Sequence, residues 1–299
     1  MQLAAGGESF PLLPQRLSIK LFADLGFEGY DLILRGGNSL GVALEDVRAD
    51  IPGWAGRFDE RVRGAGLEFA DIFCVPGNAL QTLAVNHPDA DERKQSWALF
   101  DDVLDLAVRL QVPGMTLLPG IDWDGEDHEQ SLARAADELQ RRAEAAGARG
   151  IRLSIEPHIG SVCSTPKEAL DLCQRAPALE LALNYTHFTV QGFSDDDIEP
   201  LLRHARHFKA RGARTGRMQC PLKDNTIDYE RVIDAMQIHD YDGYIAMDYV
   251  WIDTAGLNDI DVLSETLLLR DRLRAKLQHQ PWQYPQLADM DFGAPATDD

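Results

Sequence analysis

Residues 151–166 read IRLSIEPHIGSVCSTP, and this stretch carries the signals that decide the fold. An apolar run ends at Ile155 and is followed at once by a carboxylate, Glu156, and an imidazole, His158. Thr165 and Pro166 then form a helix start, because a hydroxyl residue caps the first turn and proline fits its first position. The stretch predicts a buried strand, a polar loop and a helix, in that order.

The same unit recurs along the whole chain. Short apolar runs that end in glycine, proline or polar residues alternate with segments whose apolar residues recur at helical spacing. The eight predicted strands are Met1–Ala5, Tyr30–Leu34, Glu68–Val75, Met115–Leu118, Arg152–Glu156, Leu179–Leu183, His207–Ala210 and Tyr244–Asp248. Strands that alternate with helices need a parallel sheet. Eight units, with no glycine-rich dinucleotide fingerprint after the first strand, favour a closed (β/α)8 TIM barrel over an open α/β sheet.

One domain accounts for most of the chain. The 299 residues are 44% hydrophobic, which suffices for one barrel core. We predict a single barrel domain over residues 1–280. The segment 281–299 contains three prolines and one glycine among polar residues and ends in two aspartates. It is interpreted as a poorly ordered tail, a lid or a dimer arm, and the sequence leaves a homo-oligomer open.

The charge balance argues against several classes of partner. Asp and Glu number 49 against 29 Lys and Arg, which gives a net charge of −20. Such a surface repels nucleic-acid phosphates and anionic membranes, so a small neutral or metal-chelating ligand is expected. No stretch reaches the roughly 18 apolar residues of a membrane helix, and the first residues lack a signal-peptide pattern. We predict a cytoplasmic protein whose four cysteines are buried thiols.

Polar side chains lie at four predicted strands in the second half of the chain. They are Glu156 and His158 after the fifth strand, Asn184 and His187 after the sixth, His207 to Arg211 along and after the seventh, and Asp248 at the end of the eighth. The carboxyl ends of barrel strands face the active-site mouth, where a carboxylate is costly to bury unless it is paired or metal-bound. Spacing alone leaves two interpretations: a divalent ion held by oxygens and one imidazole, or a salt-bridge network without metal.

Four segments together resemble the sugar phosphate isomerase/epimerase family. They are IRLSIEPHIGSVCSTP, ALNYTHF, ARHFKARGARTGRMQ and DGYIAMDYVW, one at each of the last four strands. The resemblance extends from DLGFEGYDL to the last helix. Because that family shares the xylose isomerase-like barrel with the metal-dependent apurinic endonucleases, the resemblance implies this fold.

The resemblance also implies a metal site. Members of the family hold one ion with a glutamate, an aspartate, a histidine and a glutamate on strands five to eight. The matching residues here are Glu156, Asn184, His207 and Asp248. Asn184 and Asp248 depart from the family pattern, which predicts a weakened site. One divalent ion is expected, with Mn²⁺ first and Mg²⁺ or Co²⁺ as alternatives.

The chemistry of the family is proton transfer beside the carbonyl of a sugar, through an enediolate. The resemblance assigns this transfer to Glu156 and Asp248, with the metal polarising the carbonyl. Substrate oxygens would bind to His158, His187 and Arg211. Trp123, in the loop IDWDGEDHE, would either stack on a sugar face or pack within its loop. The expected protein is a metal-dependent isomerase or epimerase of a sugar, keto-sugar or keto-polyol.

Three alternatives stay open. A lyase would use the same enolate to eliminate the aglycone of a 3-oxo-glycoside. An apurinic endonuclease is opposed by the acidic surface and by the lack of a histidine-rich set at the ends of strands two to four. A non-catalytic sugar-binding barrel with a decayed metal site would account for Asn184 and Asp248. The loops that select the substrate match no motif that identifies it.

Overall fold

The computed structural model describes residues 1–37, 42–253 and 256–285. Eight parallel strands form its centre: β1 (Gln2–Gly6), β2 (Gly29–Arg35), β3 (Glu68–Val75), β4 (Gly114–Leu117), β5 (Arg152–Ile155), β6 (Glu180–Asn184), β7 (Ala205–Ala210) and β8 (Tyr244–Met247). Each strand pairs with the next one along the chain. β1 also pairs with β8, which closes the sheet and confirms the predicted (β/α)8 barrel. A two-residue strand, Val42–Ala43, pairs with the end of β2.

Helices connect the strands around the barrel. The α-helices are α1 (Gln15–Asp24), α2 (Leu44–Ala49), α3 (Ile51–Val62), α4 (Ala90–Leu110), α5 (His128–Gly147), α6 (Pro166–Arg175), α7 (Thr186–Thr189), α8 (Asp195–Ile198), α9 (Tyr229–Ile238) and α10 (Val262–Leu277). α6 begins as predicted, because the Thr165 hydroxyl accepts a hydrogen bond from the Glu168 amide at 3.3 Å and Pro166 is the first helical residue. The connection between β6 and β7 contains only short helices. There the chain forms α7, α8 and a 3-10 helix over Glu199–His204.

A bulge in β7 determines which of its side chains enter the barrel. The pairing between β6 and β7 shifts by one residue at Arg206, so Arg206 is an extra residue in β7. After the bulge, His207, Lys209 and Arg211 share one face, because side chains two residues apart in extended chain point the same way. All three are buried. They form a column of nitrogen-bearing side chains that rises through the barrel toward the carboxyl ends of the strands.

A buried ion pair fills the barrel below the end of β5. Arg206 Nη2 lies 2.7 Å from Asp71 Oδ1 and 2.7 Å from the Ser154 hydroxyl. The Thr116 hydroxyl donates to the other Asp71 oxygen at 2.6 Å. Gly114 leaves room for the guanidinium, since an added Cβ there would lie 2.7 Å from Arg206 Cζ. Arg206 and Asp71 therefore compensate each other's charge inside the barrel.

The described part of the predicted tail lies against the barrel. Trp282 and Tyr284 pack on the hydrophobic core, and their ring centroids are 6.0 Å apart. The Arg272 guanidinium lies 5.8 Å from the Trp282 ring centroid. Residues 286–299, the rest of the predicted tail, lie outside the described residues.

The four cysteines have the environment that the sequence predicts. Cys74, Cys163, Cys173 and Cys220 are all buried and free, which confirms the prediction of buried thiols. Burial raises the pKa of the Cys74 thiol to about 12, so this group stays protonated and unreactive.

Within residues 1–37, 42–253 and 256–285, no helix has the length and apolar character needed to cross a bilayer.

Candidate active site at the barrel mouth

Four neighbouring strands bring polar side chains to one end of the barrel. Glu156 follows β5, Asn184 ends β6, Lys209 is the next-to-last residue of β7, and Asp248 follows β8. The loops after the carboxyl ends of barrel strands are where active sites of this fold are built. The side chains of Asp248 and His187 are each 14% exposed, whereas that of Lys209 is 4% exposed. The site therefore opens to solvent at Asp248 and His187.

Glu156 forms an ion pair with Lys209. Lys209 Nζ lies 2.8 Å from Glu156 Oε2, and His187 Nε2 lies 3.5 Å from Glu156 Oε1. Burial by itself would raise the pKa of the Glu156 carboxyl, but the Lys209 ammonium and His187 hold that pKa well below its usual range. Burial would likewise lower the pKa of Lys209, but the negative charges of Glu156 and Asp248 raise it above its usual range. Near neutral pH, Glu156 is a carboxylate and Lys209 an ammonium.

An aromatic ring holds the Lys209 ammonium from another side. Lys209 Nζ lies 3.8 Å from the centroid of the Phe73 ring, close enough for a cation–π interaction. A buried lysine is costly unless its charge is compensated. The carboxylate of Glu156 and the ring of Phe73 provide that compensation and fix the position of Nζ.

Asp248 has a different environment from Glu156. Asn184 Nδ2 donates a hydrogen bond to Asp248 Oδ2 at 3.0 Å, and Arg211 Nη1 lies 3.3 Å from the same oxygen. Burial raises the pKa of the Asp248 carboxyl, and the positive charges of Lys209 and Arg211 only partly offset this. The two carboxylates therefore differ, because Glu156 is held ionised while Asp248 accepts a proton more readily.

His207 lies deeper in the barrel than the other predicted ligands. Its Nε2 lies 2.8 Å from Asp31 Oδ2, and both side chains are almost completely buried. Since His207 precedes Lys209 by two residues on one strand, the two lie roughly 6.5 Å apart along the strand. The structure thus brings Glu156, Asn184 and Asp248 together at the mouth and places His207 in the layer below them.

The predicted metal ligands do not converge on one point. The Asn184 amide oxygen accepts hydrogen bonds from Thr186 N at 3.2 Å and from the Thr186 hydroxyl at 2.7 Å, so it turns away from Asp248. Glu156 is paired with Lys209, and His207 is bonded elsewhere. No group of three or more His, Cys, Asp or Glu side chains that could hold a metal ion occurs in the described ranges. The donors present do not fit the predicted Mn²⁺ site.

Two histidines and an arginine offer unused polar atoms around Glu156 and Asp248. The rings of His158 and His187 have centroids 6.0 Å apart, and His158 Nδ1 lies 2.8 Å from the Ile159 carbonyl oxygen. Burial lowers the pKa of His158, which favours the neutral ring. His158 Nε2, His187 Nδ1 and Arg211 Nε are buried without a hydrogen-bond partner in the part of the chain that the structure describes. Buried polar atoms normally have partners, so these three atoms are available for hydrogen bonds to a bound molecule.

Trp123 is held by neighbouring loop residues. Its indole Nε1 donates to Asn86 Oδ1 at 3.1 Å, and its ring centroid lies 4.3 Å from that of His87. Its backbone amide donates to the Ser131 hydroxyl at 3.2 Å. These contacts agree with one of the two interpretations from the sequence, in which Trp123 packs within its loop. Stacking of Trp123 on a sugar stays a prediction.

The sequence interpretation missed Lys209 and its contact with Phe73. One signal could have identified it, because a lysine within an apolar strand segment, HFKA, is almost never buried without a charged partner. The spacing of His207, Lys209 and Arg211 by two residues also predicts that Lys209 lies on the same face of the strand as the other two. The partner itself could not be read, since Glu156 belongs to a different strand.

The chain belongs to the xylose isomerase-like TIM barrel family, whose model it matches over residues 19–269. This confirms the resemblance found in the sequence. No curated protein matches the sequence at a significant level.

Solved structures share the fold at low sequence identity. A D-psicose 3-epimerase studied in the presence of D-fructose is 16% identical, covers 93% of this chain and 98% of its own, and superposes with a TM-score of 0.71. The probable 3-DHS dehydratase of petrobactin synthesis from Bacillus anthracis is 16% identical, with 91% and 100% coverage and a TM-score of 0.68. A xylose isomerase-like TIM barrel protein from Mycobacterium smegmatis in complex with magnesium is 15% identical, with 91% and 97% coverage and a TM-score of 0.66. At these identities the likeness shows the fold alone.

Proposed function

We propose that this chain is an isomerase or epimerase that moves a proton at the carbon beside the carbonyl of a sugar, keto-sugar or keto-polyol. The observation that carries the proposal is the pair of carboxylates, Glu156 and Asp248. They enter the barrel mouth from β5 and β8, two strands that are separated by two others. The likeness to a D-psicose 3-epimerase is consistent with this reaction.

The unequal carboxylates suit two halves of a proton transfer. Glu156 is ionised and so has an oxygen free of a proton, while Asp248, whose pKa is raised, is the stronger base of the two. The two carboxylates can therefore take and return a proton between them. When the carbon loses its proton, the electron pair moves into the carbonyl and forms an enediolate. Fixed positive charges and hydrogen-bond donors stabilise the oxygen that becomes negative. Protonation at the former carbonyl carbon, with transfer of the neighbouring hydroxyl proton to the former carbonyl oxygen, gives an isomer. Return of the proton to the original carbon from the opposite side gives an epimer.

The unpartnered polar atoms suit a polyhydroxylated substrate. A sugar presents several hydroxyl groups, each of which donates and accepts a hydrogen bond. His158 Nε2, His187 Nδ1 and Arg211 Nε surround the two carboxylates and lack partners among the described residues. We assign these three side chains to substrate binding. The negative net charge of the chain also favours an uncharged substrate over a phosphorylated one.

Solvent deuterium exchange tests this function. The protein would be incubated in D₂O with D-fructose, D-psicose and D-tagatose in turn, and the sugars analysed by NMR. We expect deuterium to enter at the carbon beside the carbonyl of at least one sugar, together with conversion to its isomer or epimer. Conversion without deuterium entry would contradict the enediolate route. Neither exchange nor conversion with any ketose would favour the non-catalytic sugar-binding barrel.

Elimination is the second candidate reaction. The same enolate can expel a leaving group from the next carbon, as in the lyase that acts on a 3-oxo-glycoside. The structural similarity to a probable 3-DHS dehydratase supports elimination as a second candidate reaction. Release of an aglycone from a 3-oxo-glycoside in the same NMR assay would distinguish the lyase from the isomerase. The sequence predicts Mn²⁺ at this site, but the donors of the described residues do not fit it, and metal analysis of the purified protein decides between the two.

A further inference from the structure

We propose that the Lys209 ammonium is the electrophilic group of this site and takes the place that a divalent ion has in the metal-dependent members of the family. The inference rests on the proposed function, because it names the group that stabilises the enediolate. It would make Lys209 a catalytic residue that contacts the substrate oxygen. It also explains why the predicted metal donors in this chain are turned to other partners.

The position of Lys209 in the barrel carries the first step. Its Nζ lies 2.8 Å from Glu156 Oε2, the carboxylate that the family resemblance assigns to the metal. His207, which the sequence suggested as the strand-seven ligand, lies one layer lower and is bonded to Asp31. The strand-seven residue at the level of Glu156 is therefore Lys209. A lysine nitrogen at this position is a cation and not a ligand, because a protonated amine has no lone pair to donate.

The other donors agree with a site built around a fixed cation. Asn184 turns its amide hydrogens, not its oxygen, toward Asp248. An amide does not repel a neighbouring carboxylate, whereas the family's aspartate would need a divalent ion between the two. Lys209 and Arg211 lie opposite Glu156 and Asp248, so each of these two carboxylates already has a positive partner. A divalent ion would add two positive charges beside the Lys209 and Arg211 cations, which would repel it.

The ammonium is held where it can act on a substrate. Glu156 and the Phe73 ring constrain its position, with Nζ 3.8 Å from the ring centroid. A preorganised cation stabilises a developing oxyanion without the cost of reorienting during the reaction. A ketose carbonyl oxygen bound at Nζ would place the adjacent carbon near Glu156, which shares this contact. The ligand class is thus a small neutral carbonyl compound and not a metal chelate.

Mn²⁺ alone is the probe for the first test. Mn²⁺ would be titrated into the purified full chain and into Glu156→Gln, with the free ion followed by EPR. We expect no stoichiometric Mn²⁺ binding that depends on Glu156. Binding of about one Mn²⁺ per native chain that is lost in Glu156→Gln would overturn the inference. The proposed proton transfer could still be correct in that case, since deuterium exchange is measured separately.

Restoring the family's donors gives the second test. The double variant Lys209→His/Asn184→Asp replaces the ammonium by an imidazole and the amide by a carboxylate. It should bind Mn²⁺ at least about 100-fold more tightly than the native chain, at the upper end of what changes around a metal site produce. The matched control, Lys209→Met/Asn184→Asp, removes the ammonium without supplying an imidazole and should gain much less. Equal Mn²⁺ affinity of the double variant and the native chain would contradict the inference. Where a variant does not fold, the titration of the native chain decides.

Discussion

Replacing Glu156 by glutamine is expected to lower the rate of solvent proton exchange by about 10²- to 10⁴-fold, the range that a positioned general base contributes. Glutamine keeps the size and one hydrogen-bonding oxygen of the side chain but cannot hold the abstracted proton. The structure gives Glu156 the low pKa of a group that is ionised near neutral pH, through Lys209 and His187. Deuterium entry by NMR and kcat with the active ketose are the measurements. Both should fall together, because one proton abstraction precedes both.

A matched control separates this chemical effect from a general loss of charge. Glu180→Gln makes the same change at the first residue of β6, the end of the strand away from the mouth, where Glu180 Oε2 pairs with Arg152 at 2.8 Å. This variant should leave exchange unchanged. Thermal unfolding of both variants shows whether they are folded. If a folded Glu156→Gln exchanges as fast as the native chain, Glu156 is not the base.

Replacing Asp71 by asparagine is expected to lower the free energy of unfolding by about 3 to 5 kcal/mol, because it leaves a buried charge without its partner. The Arg206 and Asp71 side chains are 2% and 0% exposed, and their closest atoms are 2.7 Å apart. Asparagine cannot neutralise the Arg206 guanidinium, which stays buried in the barrel. Urea unfolding measures the loss as a lower midpoint with an unchanged slope.

Two further variants make the stability result specific. Glu180→Gln removes one partner of an exposed ion pair, so its cost should be at most about 1 kcal/mol. Asp71→Leu combined with Arg206→Met removes both buried charges and should recover much of the stability that Asp71→Asn loses. A loss below about 1 kcal/mol in Asp71→Asn would mean that the buried pair does not stabilise the barrel as argued. Activity is not needed for this test.

Local signals in the chain predicted the barrel and part of its mouth. Apolar runs separated by helical spacing define the eight strands, since each strand must bury its side chains and each helix must cover the sheet. The Thr165–Pro166 helix start is visible in four residues because capping is a contact between near neighbours. Glu156 and Asp248 could be placed at the mouth for a similar reason, because a polar residue directly after a buried strand has a fixed place in a parallel barrel.

The partners of these residues were set by the tertiary structure. His207 pairs with Asp31, 176 residues earlier, and Lys209 pairs with a glutamate two strands away. The bulge at Arg206 shifts the alternation of β7, and a period-two pattern cannot show such a shift from the sequence. The Asn184 amide can turn either its oxygen or its nitrogen toward Asp248. Its hydrogen bonds with Thr186 and Asp248 select the orientation in which the nitrogen faces Asp248. Height within the barrel and choice of partner depend on how distant strands are aligned, which no local spacing encodes.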